Sequence, residues 1–262
     1  MSNQDIIKGK YRPEIDGLRA FAVSAVIINH FNKDLLPSGY LGVDIFFVIS
    51  GYVITSSLAG RTSKNFSDFI SGFYERRIKR IIPALIFFVL VTSFVICLFH
   101  SNSSGPLKTG ISSLFGLSNI ALFSKAKDYF ADSVTLNPFT HTWSLGVEEQ
   151  FYFLFPFLIW FSGFGRQTKK GNRNLFVVIL FLSILSLIAF ISLYQTNQPA
   201  AYFLMPTRFW EMATGCLVFL GLQKKEPIIN KLKHASPFFV LMIMVGVLFL
   251  PISAAILSTT LI

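Results

Sequence analysis

Apolar segments of membrane-spanning length recur along the chain and are separated by short polar loops. A helix needs about 20 mostly apolar residues to cross the hydrocarbon core of a bilayer. Seven segments approach or reach that length, namely residues 14–32, 40–59, 81–100, 144–163, 175–194, 207–222 and 237–258. The pattern therefore predicts an all-α fold, a polytopic bundle of about seven transmembrane helices.

An eighth apolar stretch, residues 111–123, is short and is interrupted by serine and asparagine. It predicts a re-entrant or interfacial helix that does not cross the membrane. All basic clusters then fall on one side of the membrane, and they occupy residues 8–12, 61–80, 166–173 and 224–233. The positive-inside rule assigns that side, and the N-terminus with it, to the cytoplasm.

The composition indicates that lipid surrounds much of the chain. Of the 262 residues, 53% are hydrophobic and 14% are charged, whereas a soluble domain has about 25% charged residues. The net charge is +10, and the basic residues lie in clusters beside the apolar segments. This distribution indicates control of membrane topology and excludes nucleic acid as a partner. Cys97 and Cys216 lie in apolar runs without neighbours at metal-ligand spacing, so no metal site is predicted.

The first segment contains two ionisable residues, Arg19 and His30. Eleven residues advance an α-helix by about 16 Å and rotate it by about 20° net, so both side chains share one face. A charged group in the hydrocarbon core is costly and therefore faces a bundle interior or an aqueous cavity. Both residues are candidate catalytic residues. The structural alternative is a snorkelling arginine and a hydrogen-bonded core histidine.

Asp44, close to the start of the second segment, is the third candidate catalytic residue. If the first two segments are antiparallel, Asp44 and His30 lie toward the same end of the bundle. The carboxylate would then orient the imidazole and raise its basicity. The alternative is an aspartate that closes the end of its own helix.

The fourth segment begins with the run from His141 to Tyr152. The candidate acceptor-binding residues in this run are His141, Trp143, Glu148 and Glu149. Trp143 would stack on a sugar ring, and a carboxylate would bind sugar hydroxyl groups. In the structural alternative the two glutamates stabilise the early turns of the helix through its dipole.

Two further groups of residues contain arginine. Arg208 and Glu211 are three residues apart, so they share a helix face and predict a structural ion pair. Arg76, Arg77 and Arg80 precede the third segment, and two guanidinium groups on one face suit a phosphate-bearing ligand. Anchoring of the cytoplasmic side by positive charge is the alternative for this group.

Five short motifs, in this order, resemble those of the acyltransferase-3 family. They are Tyr11–Ala20 followed by His30, Gly42–Tyr52, the pair Arg77 and Arg80 before Pro83, His141–Tyr152, and Arg208–Glu211 with Gly215. The resemblance extends over essentially the whole chain, so residues 1–262 are expected to form one acyltransferase-3 membrane domain. The domain has fewer predicted spans than is usual in the family and is expected to be incomplete.

The resemblance implies a multi-pass enzyme of the bacterial cytoplasmic membrane that acylates, most often acetylates, a glycan. The implied donor is acyl-CoA, in particular acetyl-CoA, and the acceptor is a hydroxyl of a surface polysaccharide, lipopolysaccharide or peptidoglycan. Arg19 and His30 correspond to the catalytic arginine and histidine of the family, and Arg77 and Arg80 to its donor-binding arginines. The expected partners are thus a glycan and the lipid bilayer, and no oligomeric state is indicated.

Two other functions are compatible with ionisable residues inside a membrane bundle. One is a transporter or flippase, in which such residues form a substrate or proton path. The other is an inactive, shortened member of the family. The spacing of Arg19 and His30 favours the enzyme, because a transporter gives no reason for it. His30 would either deprotonate the acceptor hydroxyl or carry the acyl group itself.

Overall fold

The predicted apolar segments lie on helices in the part of the chain that the computed structural model describes, residues 12–59, 61, 63–99, 103–126, 137–223 and 237–250. No β-strand occurs in these residues. The helices are α1 (Pro13–Phe31), α2 (Gly42–Leu58), α3 (Phe66–Phe99), α4 (Ser104–Leu114), α5 (Ser118–Ala126), α6 (Thr142–Phe161), α7 (Gly171–Thr196), α8 (Gln198–Phe203), α9 (Met205–Leu222) and α10 (Pro237–Phe249). A short 3₁₀ turn, Gly39–Leu41, leads into α2. The all-α prediction is confirmed for these residues.

Three stretches of helix in the described residues are long and apolar enough to cross a membrane, judged by length and composition. They are Gly39–Leu58, Phe66–Phe99 and Gly171–Thr196. The other predicted spans also coincide with helices, but α1, α6 and α9 carry ionisable residues that lower their mean hydropathy. Helix α10 has 13 residues, and residues 251–258 of its predicted span lie outside the described part. The count of seven spans stays a prediction.

The stretch of residues 111–123 is not one helix. Helices α4 and α5 have 11 and 9 residues, or about 17 and 14 Å, against about 30 Å for the hydrocarbon core. Gly116, with φ +67°, forms the turn between them. The Ser118 hydroxyl donates a hydrogen bond of 2.7 Å to the Thr142 carbonyl, so this helical hairpin is fixed to the start of α6.

Helix α3 begins much earlier than predicted, at Phe66 instead of near residue 81. It has 34 residues, about 51 Å, and it continues through Pro83. Its first turns belong to the bundle, because the rings of Phe66 and Phe69 pack 5.6 and 5.3 Å from that of Trp160 at the end of α6. The arginines predicted to lie in a loop before the span therefore lie within a packed helix.

Helices α2 and α9 cross with their backbones in direct contact. A Cβ atom at Gly51 would meet the Met212 carbonyl, and one at Gly215 would meet the Val48 carbonyl and lie 2.6 Å from Tyr52 N. The thiol of Cys216 donates to the Gly51 carbonyl at 3.4 Å. Small residues allow helices to approach this closely in a membrane, where packing replaces the hydrophobic effect as the force for association.

Large apolar side chains cover the outward faces of α3 and α7. Phe87 and Phe94 of α3 are 71% and 66% exposed, and Phe181 of α7 is 60% exposed. Phe151 and Phe155 of α6, in contrast, are fully buried and stack at 4.8 Å. A continuous apolar surface of this kind indicates contact with lipid, which agrees with a membrane protein.

The glycine contact between α2 and α9 gives a direct test of the packing. We expect Gly215→Ala to lower the stability of the protein by about 1–3 kcal/mol, because the added methyl group forces the two backbones apart. Thermal unfolding in detergent would measure the change. Gly221→Ala on the same helix is the control, since a Cβ there meets no atom within 4 Å. Equal melting temperatures for the two variants would contradict the packing described.

Candidate functional site

A cavity of about 360 Å³ lies at the end of the bundle where α1 ends and α2 and α6 begin. We call it the His30 cavity. Its inner wall of apolar side chains includes Ala22, Val26, Val43 and Phe46. Its polar and aromatic lining is formed by His30, Tyr40, His141, Trp143, Ser144 and Tyr202. The structure thus brings together residues that the sequence places far apart.

His30 presents one ring nitrogen to the cavity. Its Nδ1 lies 2.9 Å from the Val26 carbonyl, one turn earlier in α1. A carbonyl only accepts, so Nδ1 carries the proton and Nε2 holds a lone pair. Nε2 is therefore the nitrogen available to a substrate.

His141 lies on the opposite wall, just before α6 begins. Its ring packs edge-on against that of Phe88 of α3, with 5.0 Å between the ring centroids. Burial lowers the pKa of His141, the proximity of the His30 imidazole lowers it further, and the Pro138 carbonyl acts in the opposite direction. The net effect keeps the His141 imidazole neutral down to a lower pH than an ordinary histidine.

Trp143 is a wall of the cavity but has no open ring face. It is 4% exposed, and the Tyr202 ring lies 4.4 Å from it. The rings of Phe47 and Phe203 each contact it edge-on at 5.9 Å. A ring that stacks on a sugar needs a free face, so this packing does not favour a stacking role for Trp143, which stays a prediction.

Arg208 is the centre of a buried ionic group with Asp44 and Glu211. Its Nη1 donates to Asp44 Oδ1 at 2.9 Å and to Glu211 Oε1 at 2.5 Å. Its Nε donates to the Tyr202 carbonyl at 3.2 Å. The spacing of Arg208 and Glu211 had indicated this pair. The predicted contact of Asp44 with His30 is not present, because the Asp44 carboxylate faces Arg208 on α9.

The guanidinium of Arg208 also supports the aromatic wall of the His30 cavity. Its Cζ lies 5.6 Å from the Trp143 ring, 5.1 Å from the Tyr202 ring and 5.7 Å from the Phe190 ring. A guanidinium over aromatic faces is held by cation–π attraction as well as by its ion pairs. Arg208 therefore fixes the rings of Trp143 and Tyr202 from behind, without lining the cavity.

A second polar group, the Arg77 cluster, lies one helical turn deeper and consists of Arg19, Ser50, Arg77, Glu148, Glu149 and Tyr152. Arg77 Nε lies 3.6 Å from Glu149 Oε1, and its Cζ lies 3.5 Å from the Tyr152 ring. Glu148 is buried and interacts with Ser50, Arg77 and Arg19. The two glutamates are thus separated from His141 and Trp143, with which they were predicted to bind an acceptor.

Several atoms of the Arg77 cluster are buried without a hydrogen-bond partner in the described residues. They are Arg19 Nε, Arg77 Nε, Glu148 Oε1 and Glu149 Oε1. Buried polar atoms are normally paired with protein or water, so this cluster has capacity to bind water or a polar ligand.

Arg19 and His30 both lie on the face of α1 that is turned toward α6. Arg19 interacts electrostatically with Glu148 and His30 with His141, so the face they share lies within electrostatic range of α6. The His30 cavity extends down to Ala22, one turn above Arg19. Arg19 therefore lies about one helical turn below the cavity that His30 lines.

The arginines of α3 differ in their surroundings. Arg77 is half-buried in its cluster, whereas Arg76 and Arg80 are exposed. Arg61, for which sequence analysis predicts only a topological role, lies near Arg76. Burial lowers the pKa of Arg61, and the positive charge of Arg76 lowers it further. Cations placed this close attract an anion, and only the folded chain shows this proximity.

Tyr40 and Tyr202 are further cavity residues that sequence reasoning did not identify. Tyr40 lies at the very start of the predicted segment 40–59, in the 3₁₀ turn, and Tyr202 lies outside the predicted segments in the six-residue helix α8. Their positions depend on how the loops fold over the end of the bundle. No periodicity or motif spacing in the sequence indicates that arrangement.

Helices with apolar outer faces and a charged, ion-paired interior define an integral membrane protein with a polar site at its core. The sequence profile of the acyltransferase-3 family, described as an acyltransferase domain, matches residues 12–260, so the chain belongs to this family. The resemblance of the five motifs is thereby confirmed. No solved structure matches the chain.

Relatives of the chain carry names that describe acetyl transfer. O-acetyltransferase OatA of Staphylococcus aureus is 38% identical over 211 residues, which cover 80% of this chain and 34% of that protein. Putative peptidoglycan O-acetyltransferase YrhL of Bacillus subtilis is 33% identical over 274 residues, covering 95% and 43%. Peptidoglycan O-acetyltransferase OatA of Listeria monocytogenes is 36% identical over 232 residues, covering 86% and 37%. The chain thus spans well under half the length of these relatives.

Replacement of Arg208 tests the buried ionic group. We expect Arg208→Met to destabilise the protein by about 3–5 kcal/mol, because the buried Glu211 and the partly buried Asp44 lose the cation that pairs with both of them. Thermal unfolding in detergent would measure it. Arg173→Met, at an exposed arginine of α7, is the control and should have no effect.

The triple variant Arg208→Met, Asp44→Asn, Glu211→Gln should recover part of the lost stability, because no unpaired charge remains buried. If Arg208→Met alone is as stable as the unsubstituted protein, the ionic group does not support the fold.

Proposed function

We propose that this chain is the membrane part of an O-acyltransferase that moves an acyl group, most simply acetyl, from acyl-CoA to a glycan hydroxyl. The single observation that carries the proposal is His30, whose Nε2 holds a lone pair and faces a cavity of about 360 Å³. An imidazole with a fixed tautomer is suited both to remove a hydroxyl proton and to receive an acyl group. Membership of the acyltransferase-3 family supports the same reaction class.

The acceptor we propose is a hydroxyl of peptidoglycan. Two of the relatives are named as peptidoglycan O-acetyltransferases, one of them putatively, and family members that act on other glycans give the broader class. The acceptor would enter the His30 cavity from the outside of the cell. His141, Tyr40 and Ser144 supply hydrogen-bonding groups in that cavity, whereas Trp143 shapes its wall.

The donor we propose is acyl-CoA from the cytoplasm, with its phosphates near the exposed arginines of α3. Arg76 and Arg80 are exposed, and Arg61 adds a third cation beside Arg76. Arg77 is engaged by Glu149 and Tyr152 inside the bundle, so it would meet a part of the donor that reaches inward. Arg19, one turn below the cavity, would complete a polar route from these arginines to His30.

The topology that fits this route is the one predicted from the basic loops. The chain would lie in the bacterial cytoplasmic membrane with its N-terminus in the cytoplasm. The Arg77 cluster would then occupy the middle of the path, and the His30 cavity would lie toward the outer side.

Replacement of His30 tests the reaction centre. We expect His30→Ala to abolish acyl transfer to a glycan, because the variant lacks the ring nitrogen that we propose removes the hydroxyl proton or receives the acyl group. Membrane insertion and thermal stability should stay unchanged, since the imidazole is exposed to the cavity. The measurement is transfer of radiolabelled acetyl from acetyl-CoA to peptidoglycan fragments by the full-length protein. Full activity of His30→Ala would overturn the assignment.

Replacement of Arg80 tests the donor site. We expect Arg80→Ala to raise the Kd for acetyl-CoA by at least about tenfold, because the variant loses one hydrogen bond to a charged phosphate group. Lys79→Ala is the matched control, because it removes the same charge one residue away, where Lys79 pairs with Glu75 at 2.6 Å. Equal donor affinity in both variants would indicate that Arg80 serves only to anchor the helix.

A further inference from the structure

Two histidines from different elements face the same cavity. His30 comes from the last turn of α1, and His141 immediately precedes α6. Both line the His30 cavity, and both side chains are open to it. Their separation in the sequence gives no indication of this arrangement.

Nδ1 of His30 lies 2.9 Å from the Val26 carbonyl and donates to it, so the lone pair of the neutral ring is on Nε2. His141 lies beside the Pro138 carbonyl, and its neutral imidazole likewise has one nitrogen with a lone pair. The cavity therefore contains two nucleophilic or basic nitrogens, where acyl transfer by a single base needs one.

The other side chains that line the cavity do not replace either histidine as a base. Tyr40 and Tyr202 carry phenols and Ser144 carries an alcohol, whereas imidazole is the side chain that most often serves as a general base. Asp44 and Glu211 pair with Arg208 behind the wall. Of the described residues that line the cavity, only His30 and His141 carry an imidazole.

We propose that the two histidines divide the reaction, so that His30 carries the acyl group and His141 takes the proton from the acceptor hydroxyl. This inference rests on the proposed function and adds to it a second catalytic residue. It also decides between the two roles considered for His30. His141 suits the task because it lines the same cavity as His30 and because burial lowers its pKa, which favours the neutral imidazole.

The bonds and protons balance in two steps. In the first, His30 Nε2 attacks the thioester carbonyl, a C–N bond forms, the C–S bond breaks, and the thiolate leaves with the electron pair. In the second, the acceptor oxygen attacks the acyl carbon, a C–O bond forms, and the C–N electrons return to His30. The hydroxyl proton passes to the free nitrogen of His141 and then to water, which protonates the thiolate. The sum is thioester plus alcohol giving ester plus thiol.

The experiment uses the full-length protein in nanodiscs with radiolabelled acetyl-CoA and a soluble peptidoglycan fragment. The variants are His30→Gln, His141→Gln and, as a control on α1 outside the cavity, Ile28→Ala, whose side chain is 42% exposed. Three quantities are measured: the burst of free thiol without acceptor, the label retained on the protein, and the rate of transfer to the fragment. Melting temperatures verify that each variant is folded.

The inference predicts a burst and protein-bound label in the unsubstituted protein, and neither in His30→Gln. His141→Gln should keep the burst and the label but transfer about 10²–10⁴ times more slowly, the usual loss on removing a general base. Its transfer should also lose the decline toward acid pH that protonation of His141 causes. Ile28→Ala should resemble the unsubstituted protein.

Two results would overturn the inference and leave the proposed function standing. One is transfer by His141→Gln at the rate of the unsubstituted protein, while His30→Gln is inactive. The other is transfer by the unsubstituted protein with no burst and no protein-bound label. Loss of the burst in folded His141→Gln would equally contradict a role confined to the second step. If the unsubstituted protein consumes no acetyl-CoA even with acceptor, the proposed function itself is wrong.

Discussion

The structure depends on the burial of Arg208 between two carboxylates at the crossing of α2 and α9. A charge removed from water inside a membrane bundle is tolerated only when it is paired and hydrogen-bonded. Asp44 comes from α2 and Glu211 from α9, so the pairing joins the two helices. The same crossing brings Gly51 and Gly215 into contact with the opposite backbone. Ion pair and glycine contact therefore fix one geometry together.

The position of the cavity follows from that geometry. The guanidinium of Arg208 lies behind the rings of Trp143 and Tyr202, and those rings form one wall of the space that His30 faces. Arg208 does not line the cavity, but it thereby determines the shape of the space in which the substrate would react. This arrangement explains why α9 contains ionisable residues in an otherwise apolar segment.

The helices were predictable from the sequence, and the contacts between them were not. The apolar segments of the sequence predicted α1, α2, α6, α7 and α9, because segment length and hydropathy are properties of the local chain. The early start of α3 at Phe66 was missed, since its charged turns resemble a loop until Phe69 and Trp160 pack together. Within the His141–Tyr152 run, the first residues line the His30 cavity and the later ones belong to the Arg77 cluster. This division also depends on tertiary structure. The partner of Asp44 was assigned wrongly because the sequence shows ionisable residues on several helices but not which of them lies beside Asp44, which is Arg208 of α9.

The central claim is that His30 faces a water-accessible cavity inside the bundle and not the lipid. Cysteine labelling tests it most directly, in the full-length protein with Cys97→Ser as background. His30→Cys is compared with Ile28→Cys, an apolar position of α1 that is 42% exposed and does not line the cavity. The account predicts that a small, charged methanethiosulfonate reagent modifies the cysteine at position 30 much faster than that at position 28. Faster modification at position 28 would contradict it.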